Sequence, residues 1–244
     1  MYLARGFLNP VSRDVTRDLA NPVALHKTLL RAFPDELGPG PRAQMGLLFR
    51  VDLGRDGGAI LVLQSSVRPD LDKLPIGYFL DPSDDRLFSL GWSTNPLVET
   101  LDHSSAREGQ RFAFRLRANT TKKILTKSLP DGTKQNGKRV PVRGDEERSK
   151  WLARRGTRDG FRVESVRISE VHAHATRTRS APRSGAPSAP EVGHGTEHRL
   201  SFAGALFDGV LEVTDVLHFR KALDSGIGPA KAYGFGLLSI ARAP

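Results

Sequence analysis

Gly46-Leu-Leu-Phe-Arg-Val-Asp-Leu53, Gly54-Arg-Asp-Gly-Gly58 and Ala59-Ile-Leu-Val-Leu-Gln64, read as one stretch, decide the fold. Two apolar runs of strand length flank a cluster of turn residues, the pattern of a β-hairpin. Working outward toward the N-terminus, residues 2–8 alternate as a first strand. Asn21-Pro22 then supplies an N-cap and a proline at the first helical position, where its missing N–H costs nothing. Leu25, Leu29 and Phe33 recur at helical spacing, and Pro34 stops the helix. Beyond the hairpin, a short helix or irregular stretch spans Pro69–Leu74, and a weak strand is expected near Arg86–Trp92. The order is βαββαβ.

The order recurs. Gln110–Ala118 reads as a strand, and Asp145–Arg155 as a helix carrying Trp151 and Leu152 among its apolar residues. Phe161–Ile168 and Leu200–Val213 read as strands, Val216–Leu223 as a helix and Phe235–Ile240 as the last strand. The expectation is an α+β chain of two tandem ferredoxin-like (RRM-like) domains. The first spans 1–95, a polar linker 96–109, and the second 110–244. Two segments interrupt the second copy. Residues 120–143 form a basic hairpin or loop with turns at Asp131-Gly132 and Asn136-Gly137. Residues 173–197 are Ser/Ala/Pro/Arg/His-biased and expected to be disordered.

The net charge of +10, from 37 Lys+Arg against 27 Asp+Glu, points to a polyanionic partner. Absence of cysteine excludes disulfides and thiolate metal sites. The start has no signal-peptide pattern and no apolar run is long enough to span a bilayer, so a cytoplasmic protein without a membrane partner is expected.

The last loop is Gly226-Ile-Gly-Pro-Ala-Lys-Ala-Tyr-Gly-Phe-Gly236, with four glycines and one lysine. It lacks the P-loop pattern, and a dinucleotide fingerprint would need a preceding strand, so no nucleotide cofactor is expected. Two readings remain: a tight helix-to-strand turn, or a loop whose bare backbone N–H groups and Lys231 meet phosphate. Arg115 and Arg117 lie two apart on one strand and share a face. Lys122, Lys123, Lys127, Lys134, Lys138, Arg139 and Arg143 follow on the hairpin, and Arg154, Arg155 and Arg158 on the next helix and its end. Such a surface suits the phosphates of an A-form stem, with few aromatics for stacking. His172, His174, His194 and His198 have spacings met in zinc sites, but they fall in or beside the biased insert and no metal site is assigned. The acidic pairs Asp84-Asp85 and Glu146-Glu147 read as solvated or helix-capping charge.

Four features in register carry a resemblance: Asn9-Pro10-Val-Ser-Arg13, Asn21-Pro-Val-Ala-Leu-His26-Lys-Thr-Leu, Phe114-Arg-Leu-Arg-Ala-Asn119 with Lys122 and Lys123, and the Gly226–Ser239 loop. From Met1 to Ala241 the chain resembles the CasE family of CRISPR RNA-processing endoribonucleases from type I-E systems; the 173–197 insert departs from it. The resemblance implies tandem ferredoxin-like folds that bind the CRISPR repeat stem-loop and cut at its base without metal or other cofactor. It also implies that the 2′-hydroxyl attacks the adjacent phosphate, and that the product stays bound with the other Cascade subunits.

On this resemblance His26 is the catalytic residue, one position past core-facing Leu25, at the edge of the buried face. Lys27, Arg31, Ser12 and Arg13 are candidates to stabilise the transition state or position RNA. Asn119, Gly226, Gly228, Gly234 and Gly236 join the basic residues as RNA-binding candidates. Many relatives carry a tyrosine one turn before the histidine; here it is Val23, with Tyr2 and Tyr233 as possible substitutes. The alternative reading is a non-catalytic RNA-binding subunit, and a weaker one is a scaffolding protein of the same complex. If the missing hydroxyl matters, single-turnover cleavage will be slower than in a tyrosine-bearing relative assayed side by side. Equal rates would sink that expectation.

Overall fold

The computed structural model describes residues 1–34, 40–54, 57–124, 139–179 and 196–243. The first half runs β1 (Tyr2–Phe7), α1 (Arg13–Ala20), α2 (Pro22–Leu30), one-turn α3 (Pro41–Gln44), β2 (Leu48–Leu53), β3 (Ala59–Ser65), α4 (Asp85–Ser89) and β4 (Leu97–Thr100). The second runs β5 (Arg111–Ala118), β6 (Thr121–Lys123), β7 (Arg139–Pro141), α5 (Asp145–Asp159), β8 (Phe161–Arg179), β9 (Thr196–Val213), α6 (Val216–Ser225) and β10 (Leu238–Arg242). Short 3₁₀ turns occupy Leu71–Lys73 and Lys231–Tyr233.

The protein is α+β, with two four-stranded antiparallel sheets ordered β2-β3-β1-β4 and β10-β5-β9-β8. The β2–β3 hairpin forms as expected, with Leu48 opposite Gln64 and Leu53 opposite Ala59. The Asn21-Pro22 helix start also forms: the Asn21 carboxamide oxygen accepts from the Val23 N–H at 3.1 Å. Each sheet buries one face under helices. Leu25, Leu29, Phe33, Phe49, Leu61 and Leu63 fill the first core, and Phe114, Leu116, Trp151, Phe207, Phe219 and Leu223 the second.

The backs of the sheets meet. Leu48, Val62 and Leu237 form an apolar cluster across the seam. Beside it Gln64 Nε2 donates to the Leu223 carbonyl at 2.7 Å, and Arg50 Nη1 donates to Ser239 Oγ at 2.7 Å.

Three expectations are corrected. The segment expected as a strand near Arg86–Trp92 is helix α4, capped by Asp84, whose carboxylate accepts from the Arg86 N–H at 3.0 Å. The strand of this unit beside β1 is Leu97–Thr100, inside the stretch expected as linker. Residues 173–179 and 196–197, expected to be disordered, pair in register from Ala173 opposite Phe202 to Arg179 opposite Thr196; residues 180–195 lie outside the described residues. Helix α1 is an addition to the expected order. Its buried carboxylate, Asp18, accepts from the Tyr78 hydroxyl at 2.9 Å and from Arg17 Nε at 2.9 Å. A charged residue at an inward position erases the apolar signature.

Gly226 ends α6 at φ +75°, and a Cβ there would sit 2.8 Å from both a Leu48 methyl and the Gly236 carbonyl oxygen. Gly226→Ala combines a left-handed backbone with a clash in the seam. It is expected to lower stability by about 1–3 kcal/mol in urea unfolding. An unchanged midpoint would show that the seam yields at this point.

Candidate active site

Helix α2 covers the first core, on the face of its sheet opposite the seam, and also reaches the second unit. It packs against β8 and against the Lys231–Tyr233 turn of the second unit. The Asn21 amide donates to the Thr176 carbonyl at 3.1 Å, which fixes the start of α2 against the long hairpin arm. Arg17 Nη2 donates to Thr28 Oγ1 at 3.2 Å and ties α1 to α2.

His26 therefore comes to the edge of the core, as expected. Its ring stacks on Phe49 of β2, with centroids 6.1 Å apart and planes 22° apart. Its Nε2 is buried and has no hydrogen-bond partner among the described residues. Burial, and then the nearby positive charge of Arg42, pull its pKa down to about 4. At neutral pH the imidazole is uncharged, so one nitrogen can accept a proton. The same Arg42 lowers the pKa of half-buried Lys231, whose own burial contributes more. Arg42 of α3 thus acts electrostatically on both His26 of α2 and Lys231 of the glycine-rich loop. A cation acting on an unpaired neutral imidazole makes a place for an anion and a proton acceptor near it.

Arg42 is the functional candidate that sequence reasoning misses. It follows Pro41 in a helix of one turn, and nothing local sets it apart from the other arginines of the chain. Lys27 and Arg31 do not join Arg42 and His26; they line a separate groove with Val23, Asn21 and Thr176. Ser12 and Arg13 sit at the start of α1, a whole helix before Asn21; the Ser12 carbonyl accepts from Thr16. Tyr233 packs on Phe202, with ring centroids 4.7 Å apart. It lines a pocket with Arg117, Phe49, His172 and His174.

The RNA-binding candidates divide. Lys122 and Lys123 are exposed on β6, with Lys123 opposite Arg139 on β7, so the basic hairpin exists; Lys127, Lys134 and Lys138 lie outside the described residues. Arg143 is exposed, and Arg158 is exposed while paired with Asp159 at 2.7 Å. Arg115 and Arg117 do share a face, but it is the seam face. Arg115 pairs with Asp208 at 2.6 Å, and Arg117 lies over the Phe235 ring at 4.9 Å. Asn119 is buried.

The glycines divide too. Gly226, Gly234 and Gly236 are buried. The Gly226 N–H donates to the Ala222 carbonyl and the Gly236 N–H to the Arg117 carbonyl, so these groups are not bare for a ligand. Their contribution is close packing and a turn that presents Lys231. Among the described residues no three or more His, Asp or Glu stand together as a metal-binding group. No helix of the described chain is long and apolar enough to cross a membrane.

The chain is thus a two-sheet α+β protein of strongly positive net charge. Residues 1–242 match a family model described as CRISPR associated protein. The chain is 31% identical to the CRISPR-associated endoribonuclease Cse3 of Thermus thermophilus, over 99% of this chain and 100% of the relative. It is 27% identical to the CRISPR system Cascade subunit CasE of Escherichia coli, over 99% of both chains. A solved structure of CRISPR endoribonuclease Cse3 bound to 19 nt RNA superposes with a TM-score of 0.72 at 31% identity, covering 99% of this chain and 100% of that one. The chain belongs to the Cse3/CasE family of CRISPR-associated proteins.

The action of Arg42 on His26 is open to direct measurement. The His26 imidazole is expected to titrate near pH 4 by NMR in the free protein. Arg42→Ala removes a positive charge that opposes protonation, so the titration should move upward. No movement, or a downward one, would separate Arg42 from His26.

Proposed function

We propose that this chain is an endoribonuclease that binds the stem-loop of CRISPR repeat RNA and cuts once at the base of the stem, without needing a metal ion. The 2′-oxygen before the cut attacks the adjacent phosphorus. The P–O2′ bond forms and the P–O5′ bond breaks, leaving a 2′,3′-cyclic phosphate and a 5′-hydroxyl. The product stays bound and the protein joins the other Cascade subunits. The relatives' names and the RNA-bound solved structure support the reading at the level of an RNA endonuclease; the chemistry rests on the site.

The observation that carries it is His26 Nε2, buried and unpaired under the positive charge of Arg42, on a helix that packs against the Lys231–Tyr233 turn. The neutral imidazole accepts the 2′-hydroxyl proton. Burial depresses the imidazole most and Arg42 adds to it; a phosphate seated on Arg42 and Lys231 offsets the Arg42 charge and attracts the imidazolium, so the acquired proton is held longer and can pass to the leaving 5′-oxygen. Arg42 and Lys231 then face the extra negative charge of the phosphorane. Lys122, Lys123, Lys138, Arg139, Arg143 and Arg158 are the residues for the stem phosphates, with Gly228 at the open part of the loop. The two units are read as tandem ferredoxin-like domains, a division supported by their shared strand order: β2-β3-β1-β4 in one sheet and, from the far edge, β8-β9-β5-β10 in the other, both second, third, first, fourth along the chain.

Val23 supports a second reading, a non-catalytic RNA-binding subunit, because no hydroxyl stands one turn before His26. One experiment separates the two. A labelled repeat hairpin is incubated with the protein in EDTA beside His26→Ala. The expected result is a single cut ending in a cyclic phosphate, slowed about a hundredfold or more in the variant. Unchanged cleavage in the variant removes His26 from the chemistry, and tight binding without a cut leaves the non-catalytic subunit. Binding should weaken steeply as salt rises, through counterion release from the stem phosphates.

A further inference from the structure

A groove of about 730 Å³ opens beside Arg42 and Lys231. Its walls come from α3, the end of α6 and the glycine-rich loop. Besides Arg42 and Lys231 it is lined by Arg220, Lys221, Leu217 and Asp224. Arg220 is held in place by donating Nη2 to the carbonyls of Ser104 and Ala106. Lys221 is exposed, and Leu217 presents an apolar side chain at 77% exposure. The carboxylate, Asp224, is turned to His103 Nδ1 at 3.2 Å. Four cationic side chains against one carboxylate give the groove a positive field, and Leu217 gives it an apolar edge.

We infer that this groove holds the single-stranded RNA immediately 3′ of the cut, with Lys221 on its backbone phosphate and Leu217 against an unstacked base. This rests on the cleavage reading. Arg42, the cation that acts on His26, also lines the groove, so a strand with its scissile phosphate there has one end already at the groove. Lys231 also feels the charges of Arg155 and Arg158 at the end of α5. The stem side is taken by α5 and the basic hairpin, which leaves the groove for the strand that departs. An exposed lysine and an apolar rim suit a flexible single strand better than a duplex. The interaction would align the leaving 5′-oxygen by holding the segment attached to it.

The test uses the full chain and two RNAs carrying a 2′-deoxy block at the cut: a repeat hairpin ending one nucleotide beyond the cut, and the same hairpin with a longer single-stranded 3′ flank. The flank is expected to tighten binding of the unaltered protein roughly fivefold, the scale of one or two exposed lysine–phosphate pairs. In Lys221→Glu/Leu217→Asp, both surface changes, that ratio should fall to about one. The salt slope for the flanked RNA should drop by about 0.7 for each phosphate that the variant no longer neutralises. A flank that adds nothing, or a gain that survives the double variant with its salt slope intact, overturns the groove assignment while the hairpin still binds. Failure of the unaltered protein to bind either hairpin overturns the cleavage reading, and the groove assignment with it.

Discussion

Arg50 is the point on which the arrangement of the two units turns. Its side chain is 5% exposed, and its Nε reaches both carboxylate oxygens of Asp52, at 3.0 and 2.9 Å. Its Nη1 crosses the seam to Ser239 Oγ. Burial works against this cation, and Asp52 is the larger of the charges that offset that cost. Removing one partner from such a pair leaves an uncompensated buried charge, a loss of about 3–5 kcal/mol. Apolar packing among Leu48, Val62 and Leu237 draws the sheets together but is tolerant of sliding. The guanidinium fork has directional partners on both sides and fixes one register between the units.

That register sets the geometry of the candidate site. Phe49 follows Leu48 and precedes Arg50 on β2 and points to the opposite face, where it stacks on His26. The strand that carries the seam thus also carries the platform under the imidazole. Gly226 and Gly236 close the other side, bringing Lys231 to α2 by close backbone packing rather than by a long flexible reach. Each group of the site comes from an element whose position depends on the seam. Burial, and then the charge of Arg42, depress the imidazole pKa, so its unpaired nitrogen is neutral in the free protein.

Local features are legible in the chain, and tertiary ones are obscure. The β2–β3 hairpin, the Asn21-Pro22 helix start and the elements of the second half can be read because each is specified by neighbours in the chain. Helix α1 cannot, because Asp18 occupies a core position and is satisfied by Tyr78, sixty residues away. Helix α4 resembles a strand because its apolar residues, Leu87 and Phe88, are too few to show a period. The long β8–β9 arms have a biased composition that mimics disorder; pairing with each other and packing on α2 hold them. His26 is found by resemblance, and Arg42 reaches it only through folding. Arg115 and the glycines illustrate the converse: charge and backbone freedom that suggest a ligand surface are used in the seam.

Val23 bears on how much of the chemistry one residue can carry. It lies three residues before His26, a neighbouring position on α2, and lines a groove with Lys27, Arg31 and Thr176. Its apolar side chain gives the imidazole no polar neighbour from that position. Tyr233, in the turn of the second unit, is occupied with Phe202. The candidate site therefore has one imidazole, uncharged at neutral pH, and the cations Arg42 and Lys231 as its charged groups. In the proposed reaction such a set would lower the barrier mainly by holding charge and aligning the attacking oxygen, for which a rigid seam is worth more than a second acid or base. On that reading, rigidity at Arg50 and Gly226 serves the site through the seam rather than by touching substrate.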